Sequence, residues 1–289
     1  PDPSAPYILR TQINRARVGY QAPSQDRPGC PICFDQVASE AKPLLRAYEF
    51  PLGRAAVPFF AQLTPFPLRR RHYIVIQKEH APMRVGAQSV DELLDFIARA
   101  PGFTACSNSD VRNAGVSILD HHHYQVFADF ELPVMQALPH VGLEASLPGG
   151  RLALLDYPLT TLRVRGGRAF VARVAPAVIA GWKARAPGRN TCNLTARRAD
   201  GDFELYLFFR NPDHLTPPDL LRIKSEGVGV VEASGEAIYP PPDDAVLEEI
   251  RSNGLTIFRR ILEGLNPVPP EDRPAFFEKI REWAGGGAA

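Results

Sequence analysis

The stretch Asn113-Ala114-Gly115-Val116-Ser117-Ile118-Leu119-Asp120-His121-His122-His123-Tyr124-Gln125, running into the apolar Val126-Phe127-Ala128, carries the densest chemistry in the chain. Read as a strand, residues 121 to 128 alternate faces, so His121, His123 and Gln125 project to one side and His122 and Tyr124 to the other. One wall then holds two imidazoles and a carboxamide. Imidazole is a nucleophile with a near-neutral pKa, and a carboxamide holds an oxyanion by hydrogen bonding without titrating. That combination suits attack on phosphorus. An expression tag would be longer, terminal and flanked by linker, whereas these three histidines are internal and set in apolar sequence.

Working outward, the composition narrows the partners. With 33 basic and 32 acidic residues the formal charge is +1, which argues against nucleic acid as a main partner. Any anion site must be local. No window reaches the apolar length that spans a bilayer, and Pro1-Asp2-Pro3-Ser4 lacks a charged-then-apolar leader pattern, so the expected setting is cytoplasmic with no membrane partner. The 29 prolines are spread along the chain, as at Pro240-Pro241-Pro242, and not gathered in a low-complexity block. The Gly285-Gly286-Gly287 tail reads as frayed. A chain of 289 residues fits one large domain or two intimately packed parts.

Residues 7 to 20, 45 to 64 and 72 to 78 read as strands, and Val90 to Ala98 as an amphipathic helix. After the triad strand the style repeats: strands at Leu159 to Val164 and Phe170 to Val174, a helix around Pro176 to Lys183, then strands at Thr191 to Arg197 and Phe203 to Phe209. The apolar Val228 to Ser234 segment and a long helix from Asp244 to Leu262 complete it. Strands and helices do not alternate regularly, which predicts an α+β fold with a mainly antiparallel sheet.

Cys30-Pro31-Ile32-Cys33 places two thiolates on one tight turn, the usual way to offer half of a tetrahedral zinc site. A redox pair or two buried thiols are the other readings, although no thioredoxin-like context surrounds the motif. Cys106 and Cys192 stand apart without a second Cys-x-x-Cys, which leaves histidine to complete a metal shell.

His121-His122-His123-Tyr124-Gln125 after the Asn-x-Gly-x-Ser segment resembles the His-Leu-His-Phe-Gln motif of the histidine-triad-like branch that contains galactose-1-phosphate uridylyltransferase, diadenosine tetraphosphate phosphorylase and the GDP-hexose phosphorylases. Leu132-Pro133-Val134, Gln12-Ile13-Asn14 with Arg17, and Pro65-Phe66-Pro67 leading to Tyr73-Ile74-Val75-Ile76 add to the likeness, which is strongest over residues 10 to 140. The resemblance implies two packed histidine-triad-like halves with flanking helices. Residues 1–150 would carry the zinc site and the catalytic motif, and 151–289 would lack the motif, there being no second His-x-His. It implies a structural zinc on Cys30, Cys33, His80 and His121. His72 competes with His80 for the third place, but it follows Arg69-Arg70-Arg71, where a cation is repelled. Same-face strand residues lie roughly 6.5 Å apart, so a metal on His121 does not touch phosphorus attacked by His123, and a filled Cys2His2 shell leaves no open position for substrate.

With His121 so occupied, His123 is the expected nucleophile. Gln125 cannot protonate a leaving group, which favours exchange between phosphates, whose anions leave without general-acid help. The resemblance thus implies a nucleotidyltransferase acting as an NDP-hexose phosphorylase: a nucleoside diphosphate sugar forms a nucleotidyl-histidine, and inorganic phosphate or a sugar phosphate collects the nucleotide. Asn113 and Ser117 would hold ribose or phosphate oxygens, with Gly115 admitting the backbone closely. A dinucleoside polyphosphate phosphorylase or hydrolase, and a non-catalytic zinc-stabilised nucleotide-binding protein, are the alternatives. His122 and Tyr124 depart from the apolar residues of the family motif, and Met135-Gln136 replace its acidic residue, which leaves base, sugar and oligomeric state open.

Overall fold

The computed structural model describes residues 5–15, 29–64, 67–224, 227–239 and 241–286. Arg17, Pro65, Phe66, Pro240, Gly287 and Pro1 to Ser4, all named above, lie outside the described residues, as does the part of the expected first strand beyond residue 15.

What remains of that strand is β1 (Arg10–Ile13). The expected strand over 45–64 is a hairpin, β2 (Tyr48–Leu52) and β3 (Val57–Leu63), turned at Gly53 where φ is +71°. Then follow β4 (His72–Gln77), α1 (Ala87–Arg99), β5 (Phe103–Ser107) and β6 (His123–Ala128). Beyond them come β7 (Pro139–Leu147), β8 (Gly150–Leu155), β9 (Thr161–Gly166), α2 (Arg168–Arg185), β10 (Thr191–Ala199) and β11 (Asp202–Arg210). A short α3 (Val230–Ala233), β12 (Glu236–Tyr239), α4 (Asp244–Gly264) and α5 (Arg273–Gly285) close the chain.

Ten of these strands build one sheet in the order β2-β3-β4-β6-β5-β10-β11-β9-β8-β7, and every neighbouring pair is antiparallel. The seam is β5 against β10, where Ser107, Cys106 and Ala105 pair with Leu194, Thr195 and Ala196. Off the sheet, β1 pairs in parallel with β12, and α4 is capped by Asp243, whose carboxylate accepts from the Val246 amide at 2.9 Å.

One sheet face presents Tyr124, Val126, Ala105, Leu194 and Leu205 to a core filled from α1, α2 and α5. The opposite face presents Phe127, Cys106, Tyr206 and Phe208 to a second core with α3, β12 and α4. The segment Phe170 to Val174, expected as a strand from its valines, belongs to α2. Its apolar residues recur at helical spacing, and Phe170, Val171, Val174, Val178, Ile179 and Trp182 are all buried on the side facing the sheet. Strand-like composition lost to the longer helical period.

Candidate active site

β6 begins at His123, so His121 and His122 sit in the approach to the strand. Alternation persists through them. Gln125 pairs with Ile74 on β4 and Cys106 on β5, and His123 pairs with Ile76, which puts both side chains on the face opposite α1. His122 and Tyr124 turn the other way and meet Glu92 of α1: the His122 Nε2 lies 3.0 Å from Glu92 Oε2, and the Tyr124 hydroxyl donates to the same oxygen. Gln88 donates to Glu92 Oε1 at 2.9 Å, and the Arg84 amide donates to His122 Nδ1 at 3.4 Å. That last bond leaves the proton on Nε2, aimed at the carboxylate. Burial, then Glu92, hold the Tyr124 hydroxyl well above its usual pKa, so it stays a donor. The polar residues that replace the apolar pair of the family motif thus have a buried carboxylate waiting for them.

Cys30, Cys33, His80 and His121 come together, and their ligand atoms all lie within 4.8 Å of one another. The His121 Nδ1 is 3.2 Å from Cys30 Sγ and 3.6 Å from Cys33 Sγ, and His80 Nδ1 is 3.0 Å from Cys33 Sγ. Sulfur and nitrogen ligands on a tetrahedral ion are separated by about 3.5 Å, so the quartet is gathered at close to the spacing a metal ion needs. His121 donates through Nε2 to the Gln77 carbonyl at 2.7 Å, which fixes its tautomer and frees Nδ1 for the ion. Burial, followed by the neighbouring Cys30, pushes the Cys33 thiol up to about 12: two sulfurs this close ionise together only beside a cation. His72 is elsewhere. It is buried, stacked on Phe127 with centroids 4.3 Å apart, and its Nδ1 accepts from the Leu68 amide at 3.2 Å.

His123 is buried, and its Nδ1 donates to the His121 carbonyl at 2.7 Å, which leaves the Nε2 lone pair free. Desolvation lowers its pKa to about 4, so the ring is neutral. Of the loop ahead of it, Asn113 is exposed with φ +63°, Gly115 is buried with φ +88°, and Ser117 is half-buried. A Cβ on Gly115 would lie 2.5 Å from the Val228 carbonyl, 2.9 Å from Arg210 Nη1 and 3.2 Å from Asn193 Oδ1, so only glycine fits. Three basic residues that could have faced a diphosphate are engaged: Lys78 with Glu49, Lys183 with Asp110, and Arg197 with Glu204 and Glu131.

Residues 27–128, which hold the metal quartet and β2 to β6, match a family model described as a domain of unknown function, DUF4922. A galactose-1-phosphate uridylyltransferase of Streptococcus mutans serotype c is 26% identical over 270 residues, covering 84% of this chain and 55% of that protein. Galactose-1-phosphate uridylyltransferase 2 of Streptococcus pneumoniae serotype 4 is 30% identical over 218 residues, 66% of this chain and 43% of its own. The chain therefore spans about half the length of the curated relatives it matches. Among solved structures, yeast Ap4A phosphorylase in complex with AMP superposes with a TM-score of 0.51 at 9% identity, over 80% of this chain and 95% of that one. The same enzyme in complex with Ap4A gives 0.52 at 10% identity, over 76% and 88%. The uridylyltransferase relatives and the fold shared with Ap4A phosphorylase support a histidine-triad-like nucleotidyltransferase or phosphorylase. Within this histidine-triad-like frame, sequence reasoning missed Asn108, Asn193 and Arg210, all buried beside the Gly115 loop. The signal was present: Thr191, Asn193 and Thr195 give β10 a polar face that a surface strand would expose and this one buries.

Proposed function

We propose that the protein transfers a nucleotidyl group between a nucleoside diphosphate hexose and inorganic phosphate or a sugar phosphate, with His123 as the covalent carrier. The observation that carries this reading is the placement of His123: buried, on the same face as Gln125, and oriented by the His121 carbonyl so that Nε2 is the free nucleophile. In the first step Nε2 attacks the α-phosphorus, a nitrogen–phosphorus bond forms, and the bond to the bridging oxygen breaks to release sugar 1-phosphate. In the second, a phosphate oxygen attacks the same phosphorus and His123 leaves. Gln125, on the same face, donates hydrogen bonds to the non-bridging oxygens, and Asn113, Gly115 and Ser117 form the loop that receives substrate. The uridylyltransferase relatives support a nucleotide-sugar substrate. Zinc on Cys30, Cys33, His80 and His121 has a structural part, tying the Cys-x-x-Cys turn to the strand that presents His123.

A dinucleoside polyphosphate is the second reading, favoured by the likeness to Ap4A phosphorylase. Incubation with NDP-sugars and dinucleoside polyphosphates, with and without phosphate, separates them: sugar 1-phosphate release supports the first, and release of a nucleoside diphosphate from the dinucleotide supports the second. A base-stable, acid-labile radiolabelled adduct should map to His123, and His123→Ala should lower turnover by more than about a thousandfold with the fold intact. An adduct on any other residue refutes the mechanism. Nucleotide binding without turnover would make the protein a non-catalytic binder.

A further inference from the structure

Arg210 is the largest fully buried side chain described, and its charge is not compensated by an ion pair among the described residues. Its Nη1 donates to Asn193 Oδ1 at 2.8 Å and to the Val228 carbonyl at 3.1 Å, whereas its Nε has no partner. Asn193 has spent its oxygen on Arg210, and its Nδ2 has no partner either. Glu232, the carboxylate whose charge reaches Arg210, is held by Lys224 at 2.8 Å and by the Gly229 amide at 3.0 Å. Two adjoining buried groups are therefore left with donors and no acceptor. Burying a cation and an amide in this state is costly unless something supplies the missing oxygens.

The sheet says where those donors stand. Gln125 pairs with Cys106, Cys106 with Thr195, and Thr195 with Tyr206, so this row shares one face. Two residues along each strand, the next same-face row runs from His123 past Asn108 to Asn193 and Phe208, with Arg210 beyond. His123 and Asn193 are two strand spacings apart, about 10 Å between backbones, with both side chains standing on the same face. The Gly115 backbone lies against Arg210 and Asn193.

We propose that Arg210 and Asn193 form an anion subsite that receives the phosphate not attached to His123: the sugar 1-phosphate as it leaves and the inorganic phosphate as it enters. This rests on the transfer reading above. The guanidinium Nε and the Asn193 Nδ2 supply donors to one phosphate group, the planar guanidinium suits oxyanion geometry, and the cation that lies buried without a counter-ion gains one only when substrate is bound. Arg210 then binds the group that moves, while Gln125 serves the phosphorus that stays.

Asn193→Asp is the decisive variant because it is nearly isosteric and puts a carboxylate inside the protein where the phosphate would be. It should raise the melting temperature and at the same time abolish the stabilisation that millimolar inorganic phosphate gives the metal-loaded wild-type protein. On the isolated nucleotidyl-enzyme, the KM of inorganic phosphate for discharge should rise about thirtyfold or more in Asn193→Asp and in Arg210→Met, the change expected when one partner of a buried charge pair is lost. Affinity for a nucleoside monophosphate, which leaves this subsite empty, should stay within about twofold of wild type. The proposal is overturned if phosphate KM is unchanged in a stabilised Asn193→Asp protein, if phosphate does not raise the wild-type melting temperature, or if monophosphate affinity falls in parallel. A wild-type protein that forms no nucleotidyl adduct refutes the transfer reading instead, and the phosphate-dependent melting shift with Asn193→Asp then decides the subsite by itself.

Discussion

Replacing Glu92, His122 and Tyr124 together should cost far less than the three single replacements summed. Glu92 is fully buried, and its Oε2 takes bonds from both the His122 Nε2 at 3.0 Å and the Tyr124 hydroxyl. Tyr124→Phe keeps the ring stacked on Phe59 but strips one charge-assisted bond, a loss of about 2 kcal/mol. His122→Leu removes the other and leaves the Arg84 amide without its acceptor, about 2–3 kcal/mol. Glu92→Leu strands two buried donors at once, about 3–5 kcal/mol. The three costs sum to about 7–10 kcal/mol, enough to unfold an ordinary domain. In the triple variant the Arg84 amide alone is left without its acceptor, since exposed Gln88 turns to water and the Arg84 guanidinium, which loses Glu92 at 3.8 Å, retains the Gln77 side chain. The triple should therefore lie within about 3 kcal/mol of the parent. Urea unfolding of the singles, doubles and triple gives the coupling directly. Additive costs, with a triple as unstable as the sum, would refute the reasoning. Turnover in the triple should stay close to that of the parent, because the network lies across the strand from His123 and Gln125.

Two further outcomes follow from the same geometry. Metal analysis should find one ion per chain, lost in the Cys30→Ser, Cys33→Ser double variant, and chelation should lower the melting temperature by roughly 10 °C, the shift that about 4 kcal/mol produces at this chain length. Metal-free protein at full stability would remove the structural role. Burial depresses His72 to about 4, with the Gln125 side chain pulling weakly the other way. The folded protein then resists the proton that the unfolded chain takes up from about pH 6.5, so stability falls as pH drops from there to about 4, by about 3 kcal/mol, and is unaffected above. His72→Gln should lessen that slope and leave the share of His123, which burial also holds at about 4, and an unchanged slope would place the acid sensitivity elsewhere.

Much of this was readable from local patterns, because local patterns set it. Alternation on a strand assigns His121, His123 and Gln125 to one wall whatever surrounds them, and Cys30-Pro31-Ile32-Cys33 offers its two sulfurs on a turn of four residues. The family likeness then supplied His80 and His121 as their companions, and the fold brings all four together. What stayed hidden depends on pairings between distant residues. Glu92 reads as a solvated position in a helical pattern until β6 places His122 and Tyr124 beneath it, thirty and more residues later. Arg210 reads as the charged end of a strand. Its meaning comes from the β5–β10 seam, which carries it to within reach of a loop almost a hundred residues earlier. Phe170 to Val174 misled for the opposite reason: β-branched residues favour strands locally, and only the wider spacing of buried positions reveals α2.

The seam itself limits how this molecule can move. Two sets of five strands meet at β5 and β10 through continuous backbone hydrogen bonds, with packed cores on both faces. A clamshell closing about that line would have to break ladder bonds and shear two cores, so no hinge exists between the strand that carries His123 and the strands that carry Asn193 and Arg210. Distances across the floor are thereby fixed before any ligand arrives. Whatever adjustment a ligand asks for then falls to the loops at the strand ends, the one from Asn108 to Asp120 among them, and not to the relative placement of the strands.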